Sequence, residues 1–299
     1  MKIGIFVCSN GYGHFHRMLQ MCSHLINHKF DIYCERYQYN RFKPLQPNIN
    51  FIFYETPNIR WDNKVTNTNS LDRYRNDIKK YDRVITDNLV EVLKYRPDAW
   101  FSGSFLWSDV WRDRFGDNNF SDKEDELFNS VKPKVICNGD VVFGQLQDYE
   151  NKVDIGWGCR DDSVEDYNLD TIVCVPPSLN YTDDYTDKFY KIREEYQNDF
   201  NFSFNINHTE NSMFVIRPGL GMITTCVSKR IPIVALWADE DSSEIKHLAK
   251  KVEELGIGIR QNVYDDFKIP TDIKHYRDSF RKLQLDGYLK FARLINTEI

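Results

Sequence analysis

The sequence predicts an α/β protein made of two successive doubly wound halves, each a parallel sheet with helices on both faces. Three observations carry this expectation. Short apolar runs alternate with amphipathic stretches along most of the 299 residues, the pattern of strands joined by crossover helices. A glycine turn follows an apolar run at Gly11–Gly13, and another does so at Gly219–Gly221. Between the two series lies a polar stretch, Asp148–Asn168, holding a Gly156-Trp157-Gly158 turn.

In chain order, Ile3–Cys8 is a β-rich apolar run that the first glycine turn ends. Met18, Leu19, Cys22, Leu25 and Ile26 then fall at helical spacing, and Phe30–Tyr33 reads as the second strand. Further strands are predicted at Phe51–Tyr54, Val84–Thr86, Ala99–Phe101 and Val135–Cys137, with helices between most of them. The polar stretch reads as loop and sets a boundary, giving domains 1–157 and 158–299. The second series has strands at Thr171–Val175, Phe202–Phe204, Met213–Ile216 and Ile231–Leu236. Its helices are expected at Tyr185–Tyr196, Met222–Ser228 and Ser243–Leu255. Beyond Asp272, the apolar positions Tyr276, Phe280, Leu283, Tyr288, Phe291 and Ile295 suit one or two amphipathic helices. The last of these is free to pack back on the first domain.

Hydrophobic residues make up 41% of the chain and charged residues 28%, which fits a globular protein and excludes a disordered one. The formal net charge of -6, with both signs interspersed, argues against a large nucleic-acid footprint but leaves room for a local basic patch. Cys8, Cys22, Cys34, Cys137, Cys159, Cys174 and Cys226 include no CxxC pair. They read as reduced, buried thiols of a cytoplasmic protein. No apolar stretch has the length of a membrane span, and the N-terminal one is too short for a signal peptide. The sequons at Asn119 and Asn207 therefore read as incidental.

Two turns hold the candidate chemistry. Gly11-Tyr12-Gly13-His14-Phe15-His16-Arg17 lies between the first strand and the first helix, where ligands bind in open α/β sheets. Glycines let backbone approach a ligand closely. His14 would stand at the helix N-terminus, where the positive helix end favours a neutral imidazole able to take a proton. The bland alternative is a tight turn with a histidine cap. Arg217-Pro218-Gly219-Leu220-Gly221-Met222-Ile223-Thr224-Thr225 also follows a strand and opens a helix. Amides of Gly219 to Met222 would there face a diphosphate, and Thr224 would add a hydroxyl. An ordinary βα turn is the alternative.

With both turns in place, the chain resembles the GT-B glycosyltransferases, most of all the branch with the MurG-type N-acetylglucosaminyltransferases and the UDP-glycosyltransferases. Gly11, Gly13, His14 and Arg17 match that branch's GxGHxxR turn, and Arg217, Gly219 and Thr224 match its second turn. Arg217–Ile259 is similar to its donor-binding core in pattern. The resemblance implies two Rossmann-like domains facing a central cleft, the first binding acceptor and the second donor. It implies His14 as general base and Gly11, Tyr12, Gly13 and Arg17 around it. Donor contacts would come from Arg217, Gly219, Leu220, Gly221, Met222 and Thr224, with Glu244 on sugar or ribose hydroxyls. Asp87, Asn88, Ser102 and Ser104 end strands, and in such an enzyme they would lie on the acceptor rim of the cleft.

The donor implied is a UDP- or dTDP-type nucleotide sugar, with no metal and no other cofactor. The acceptor would be a glycan, a small molecule or a lipid-linked carrier, the last bringing peripheral membrane contact. Thr225 departs from the family's ribose-binding Glu, and Val175–Asn180 lacks the glycines usual there. Two rival readings keep the fold: a PseG-like nucleotide-sugar hydrolase, whose His activates water, and a non-catalytic nucleotide-sugar binding protein. Trp107 and Trp111 read as a core-facing pair, and Asp239-Glu240-Asp241 as mostly solvated acids.

Overall fold

The computed structural model describes the chain except residues 23–24, 43–46, 55–70, 164, 166, 176–182, 206–210, 271 and 298–299. The chain divides into two compact units, Met1–Gly158 with Asp286–Ile299, and Cys159–Leu285.

Unit 1 holds strands β1 (Lys2–Val7), β2 (Lys29–Cys34), β3 (Ile49–Phe53), β4 (Arg83–Asp87), β5 (Trp100–Ser102), β6 (Val135–Cys137) and β7 (Lys152–Asp154). They form one parallel sheet in the order β3-β2-β1-β4-β5-β6-β7. Its helices are α1 (Gly13–Cys22), α2 (Arg36–Phe42), α3 (Arg75–Lys79), α4 (Trp107–Phe115) and α5 (Asn119–Val131). Strand alternation sends Ile3, Ile5 and Val7 into one core with Phe15, Met18, Leu19 and Cys22 of α1. Phe6 and Cys8 enter the opposite core with Trp107, Val110 and Trp111 of α4 and Phe128 of α5. Both faces are thus covered, which is why the central strands read as unbroken apolar runs.

Unit 2 holds β8 (Thr171–Val175), β9 (Asn201–Ser203), β10 (Ser212–Ile216), β11 (Ile233–Trp237) and β12 (Gly258–Asn262), in the parallel order β12-β11-β10-β8-β9. Its helices are α6 (Asp183–Tyr196), α7 (Leu220–Lys229), α8 (Ser243–Glu254) and α9 (Ile273–Phe280). The last helix, α10 (Gly287–Thr297), belongs to unit 1. Its Phe291 and Ile295 are buried in the core that α1 also covers.

Strand order reverses between β1 and β4 in unit 1, and between β8 and β10 in unit 2. Such switch points leave a crevice at the carboxyl ends of the strands. Three elements differ from expectation. The stretch 148–168 was expected as loop but contains β7, while β12 and the short α2 had no clear sequence signal. Pro176–Asn180 of the expected second-domain turn and the Asn207 sequon lie outside the described residues.

Candidate functional site

In unit 1 the site begins where β1 ends. Backbone pairing continues one residue beyond the strand, Cys8 N–H donating to the Asp87 carbonyl at 3.1 Å. The chain then turns through Gly11, whose φ of 84° favours glycine. The fully buried Gln38 of α2 donates its amide to the Cys8 and Gly11 carbonyls at 2.9 and 2.8 Å. The Tyr37 hydroxyl donates to the Ser9 and Gly11 carbonyls. Helix α2 therefore clamps the loop that launches α1. Tyr12 is half-buried in that loop, edge-on to the Tyr37 ring at 5.3 Å.

His14 is the second residue of α1, its side chain 14% exposed. Its Nδ1 lies 2.9 Å from Asp87 Oδ2, at the end of β4. An ionised carboxylate only accepts, so Nδ1 carries a proton, and the neutral tautomer that fits this bond has its lone pair on Nε2. Arg17, one turn further along α1, donates from Nη2 to Asp87 Oδ1 and to the Ser102 carbonyl. Burial alone would push the Asp87 carboxyl up, but the charges of Arg17 and His14 and their hydrogen bonds outweigh it and hold it below the ordinary value. The Trp107 ring lies 6.4 Å from the His14 ring.

The structure corrects the four expected rim residues. Asp87, Asn88, Ser102 and Ser104 are all buried. The chain after β5 folds Phe105, Leu106 and Trp107 into a core with Leu89 and Val90, and this covers the strand ends. Asp87 is the partner of His14 and Arg17. Asn88, at φ 53°, donates its N–H to the Ser102 carbonyl and its side-chain amide to the Phe105 carbonyl. The Ser104 carbonyl accepts from Phe143 N–H. Trp107 and Trp111 are core residues, as their spacing suggested.

In unit 2 the second turn follows β10, also beside a switch point. Gly219 is the residue before α7 and, having no side chain, offers no side-chain cap to the amides of Leu220 and Gly221. Met222 N–H donates to the Gly219 carbonyl at 3.0 Å, so that amide is not aimed at a ligand as expected. The Thr224 and Thr225 hydroxyls donate back to the Leu220 and Gly221 carbonyls at 2.8 and 3.1 Å. The Thr224 proton is thus already engaged, a second correction. Glu244 is half-buried in the first turn of α8.

The acids at 239–241 give a third correction. Asp239 and Glu240 are exposed, but Asp241 is buried and pairs with Arg217, its Oδ1 accepting from Nε at 2.8 Å and Nη2 at 2.7 Å. Sequence reasoning missed this ion pair and the clamp by Gln38. Neither has a local signal, because each partner lies more than twenty residues away. Among the described residues no three His, Cys, Asp or Glu side chains converge as metal ligands. No helix of the described residues is long and apolar enough to cross a membrane.

No family model and no curated protein matches the chain. Solved structures do match it. The glycotransferase of kitacinnamycin is similar with a TM-score of 0.69 at 12% identity, over 100% of this chain and 99% of that one. UGT2 of Phytolacca americana, complexed with UDP-2fluoro-glucose and pterostilbene, gives 0.67 at 12% identity over 99% of each chain. CalG4, the calicheamicin glycosyltransferase, gives 0.59 at 13% identity over 99% of this chain and 94% of its own. At such identities the likeness establishes the fold: an α/β chain with parallel sheets, shared with solved UDP-glycosyltransferases of the GT-B type.

Proposed function

We propose that the chain is a glycosyltransferase of GT-B type that moves a sugar from a UDP- or dTDP-linked donor to an acceptor hydroxyl, with inversion and without a metal. The observation that carries this reading is the His14–Asp87–Arg17 chain at the switch point of unit 1. It leaves a basic imidazole nitrogen backed by a buried carboxylate, the arrangement for drawing a proton from a hydroxyl. In this reading unit 1 binds the acceptor and unit 2 the donor.

The step is a direct displacement. As the acceptor oxygen bonds to the anomeric carbon, its proton passes to His14 Nε2. The bond from that carbon to the diphosphate breaks, and the leaving group takes the electron pair. Asp87 steadies the imidazolium that forms, and Arg17 keeps Asp87 ionised and in place. The uncapped start of α7, with Arg217 beside it, meets the growing charge on the diphosphate. Glu244 is assigned to donor hydroxyls. That solved structures of the same fold were obtained with UDP-2fluoro-glucose or UDP supports the donor class.

The test is transfer from a panel of nucleotide sugars to hydroxyl acceptors. His14→Ala should lower the rate about a hundredfold or more; unchanged transfer removes the base from the mechanism. Stoichiometric free sugar without acceptor would move the reading to hydrolysis by the same His14–Asp87 pair. Tight donor binding with no turnover on any acceptor would leave only a binding protein.

A further inference from the structure

The loop between β11 and α8 holds a carboxylate whose surroundings are complete. Asp241 Oδ1 accepts from Nε and Nη2 of Arg217. Its Oδ2 accepts from the Ala238 N–H at 2.9 Å and from the Tyr185 hydroxyl. Four donors from three separate segments thus converge on one side chain that is 3% exposed. Tyr185 itself is 2% exposed, on α6. Burial, and then its hydrogen bond to Asp241, push the Tyr185 hydroxyl well above its ordinary range, so it stays a donor at any working pH.

Stability is a poor reason for this arrangement. Buried ion pairs are often replaceable by apolar residues with no loss of stability, because desolvation offsets their attraction. Geometry is the better reason. A guanidinium held at both Nε and Nη2 by one oxygen cannot swing about its last torsions. Arg217 directly precedes Pro218-Gly219 and the uncapped start of α7, and its side chain is still 13% exposed. The loop acid therefore fixes the one cation of the turn, while Tyr185 and Ala238 fix the acid.

We infer that Asp241, braced by Tyr185, is the positioning residue of the donor half: it holds the Arg217 guanidinium where the donor's diphosphate binds. This rests on the proposed function, since it takes the 217–222 turn as the diphosphate site. Asp241 acts through Arg217 and does not itself meet the nucleotide. Binding energy that depends on this pair belongs to the diphosphate and not to the nucleoside.

The test is calorimetric titration of the full chain with UDP, dTDP, GDP and ADP, and with the parent nucleoside of whichever binds best. Asp241→Ala and Arg217→Ala should each weaken the diphosphate about tenfold or more, the scale of a charge-assisted hydrogen bond. Nucleoside affinity should stay within about twofold. The double variant should be no weaker than the worse single one, because both changes remove one contact. Tyr185→Phe, which keeps the ring and the charge, should give a smaller loss confined to the diphosphate, and it serves where Asp241→Ala does not fold.

Equal weakening of diphosphate and nucleoside, full additivity, or a loss in Arg217→Ala without one in Asp241→Ala and Tyr185→Phe would overturn the inference and leave the donor site standing. No binding of any diphosphate by the unaltered chain would sink the proposed function and this inference with it.

Discussion

Asp87 is the residue on which the unit 1 site turns. Its carboxylate both accepts from His14 and Arg17 and supplies the charge that a protonated imidazole needs. Asp87→Asn keeps the shape but offers an amide N–H to Nδ1, which favours the tautomer with its proton on Nε2. Transfer should fall about a hundredfold or more, with donor affinity unchanged in titrations. An unchanged rate would mean that His14 works without it. Because the folded carboxyl is held below its ordinary value of 3.8, its stabilising contribution is present above that value and is lost only as the pH falls through the lower folded one. Glu124 behaves oppositely. It is buried, its Oε2 accepting from Ser108 N–H at the start of α4. Burial pushes it from 4.5 up to about 8, with Asp125 and Asp109 adding and the Ser108 hydrogen bond opposing. Its contribution is therefore fully present below 4.5 and lost as the pH rises to about 8. Melting curves at pH 5 and 8.5 should show the unaltered chain losing stability relative to Glu124→Gln, on the order of a few kcal/mol; parallel pH profiles would refute this. Of these residues only His14 and Arg17 stood out in the sequence, through a spaced motif. Asp87 could be seen at a strand end, but its partners lie 73 and 70 residues away. Asp241 looked like one of three surface acids, because nothing local betrays Tyr185, 56 residues before it.

Among the elements, the central strands were legible because both faces are covered and their middles are apolar, as in β10, where Met213–Ile216 are all apolar and all five residues are buried. Edge elements were not. β7 is three residues, Lys152-Val153-Asp154, and none of them is buried. Helix α2 reads Arg-Tyr-Gln-Tyr-Asn-Arg-Phe and buries only Gln38, so no apolar stripe announces it. Yet α2 holds the loop from Cys8 to Gly11. Gln38→Ala removes the donor shared by two loop carbonyls in a place closed to water, at a cost of roughly 1–3 kcal/mol. The expected outcome is a lowered unfolding midpoint and a slower reaction, since the start of α1 moves with the loop. Equal activity and equal midpoint would show that Tyr37 suffices as the clamp.

At the scale of the molecule, the parallel sheets were legible from alternation and glycine turns, and α10 was visible as an amphipathic tail. What the pattern did not contain was the set of backbone contacts by which it docks. Gly287 N–H donates to the Trp157 carbonyl at 3.0 Å. A Cβ at Gly287 would lie 2.7 Å from that oxygen and 2.9 Å from the Ile155 oxygen, both backbone atoms unable to swing aside. Gly287→Val should destabilise unit 1 by about 2 kcal/mol, as overpacking does, read as a shift in the denaturant midpoint. A neutral effect would mean that the helix can shift along Phe15 and Met18 without loss.

The return of Asp286–Ile299 to the first unit also sets an order on biosynthesis. During translation the stretch Cys159–Leu285 is contiguous and can settle as soon as it clears the ribosome. The earlier stretch packs α1 on its strands but lacks Phe291 and Ile295 in that core until those residues are made. His14 thus lies in the unit whose core is completed after the stretch Cys159–Leu285 has been made, and a nascent chain stalled before Phe291 would be a target for chaperones.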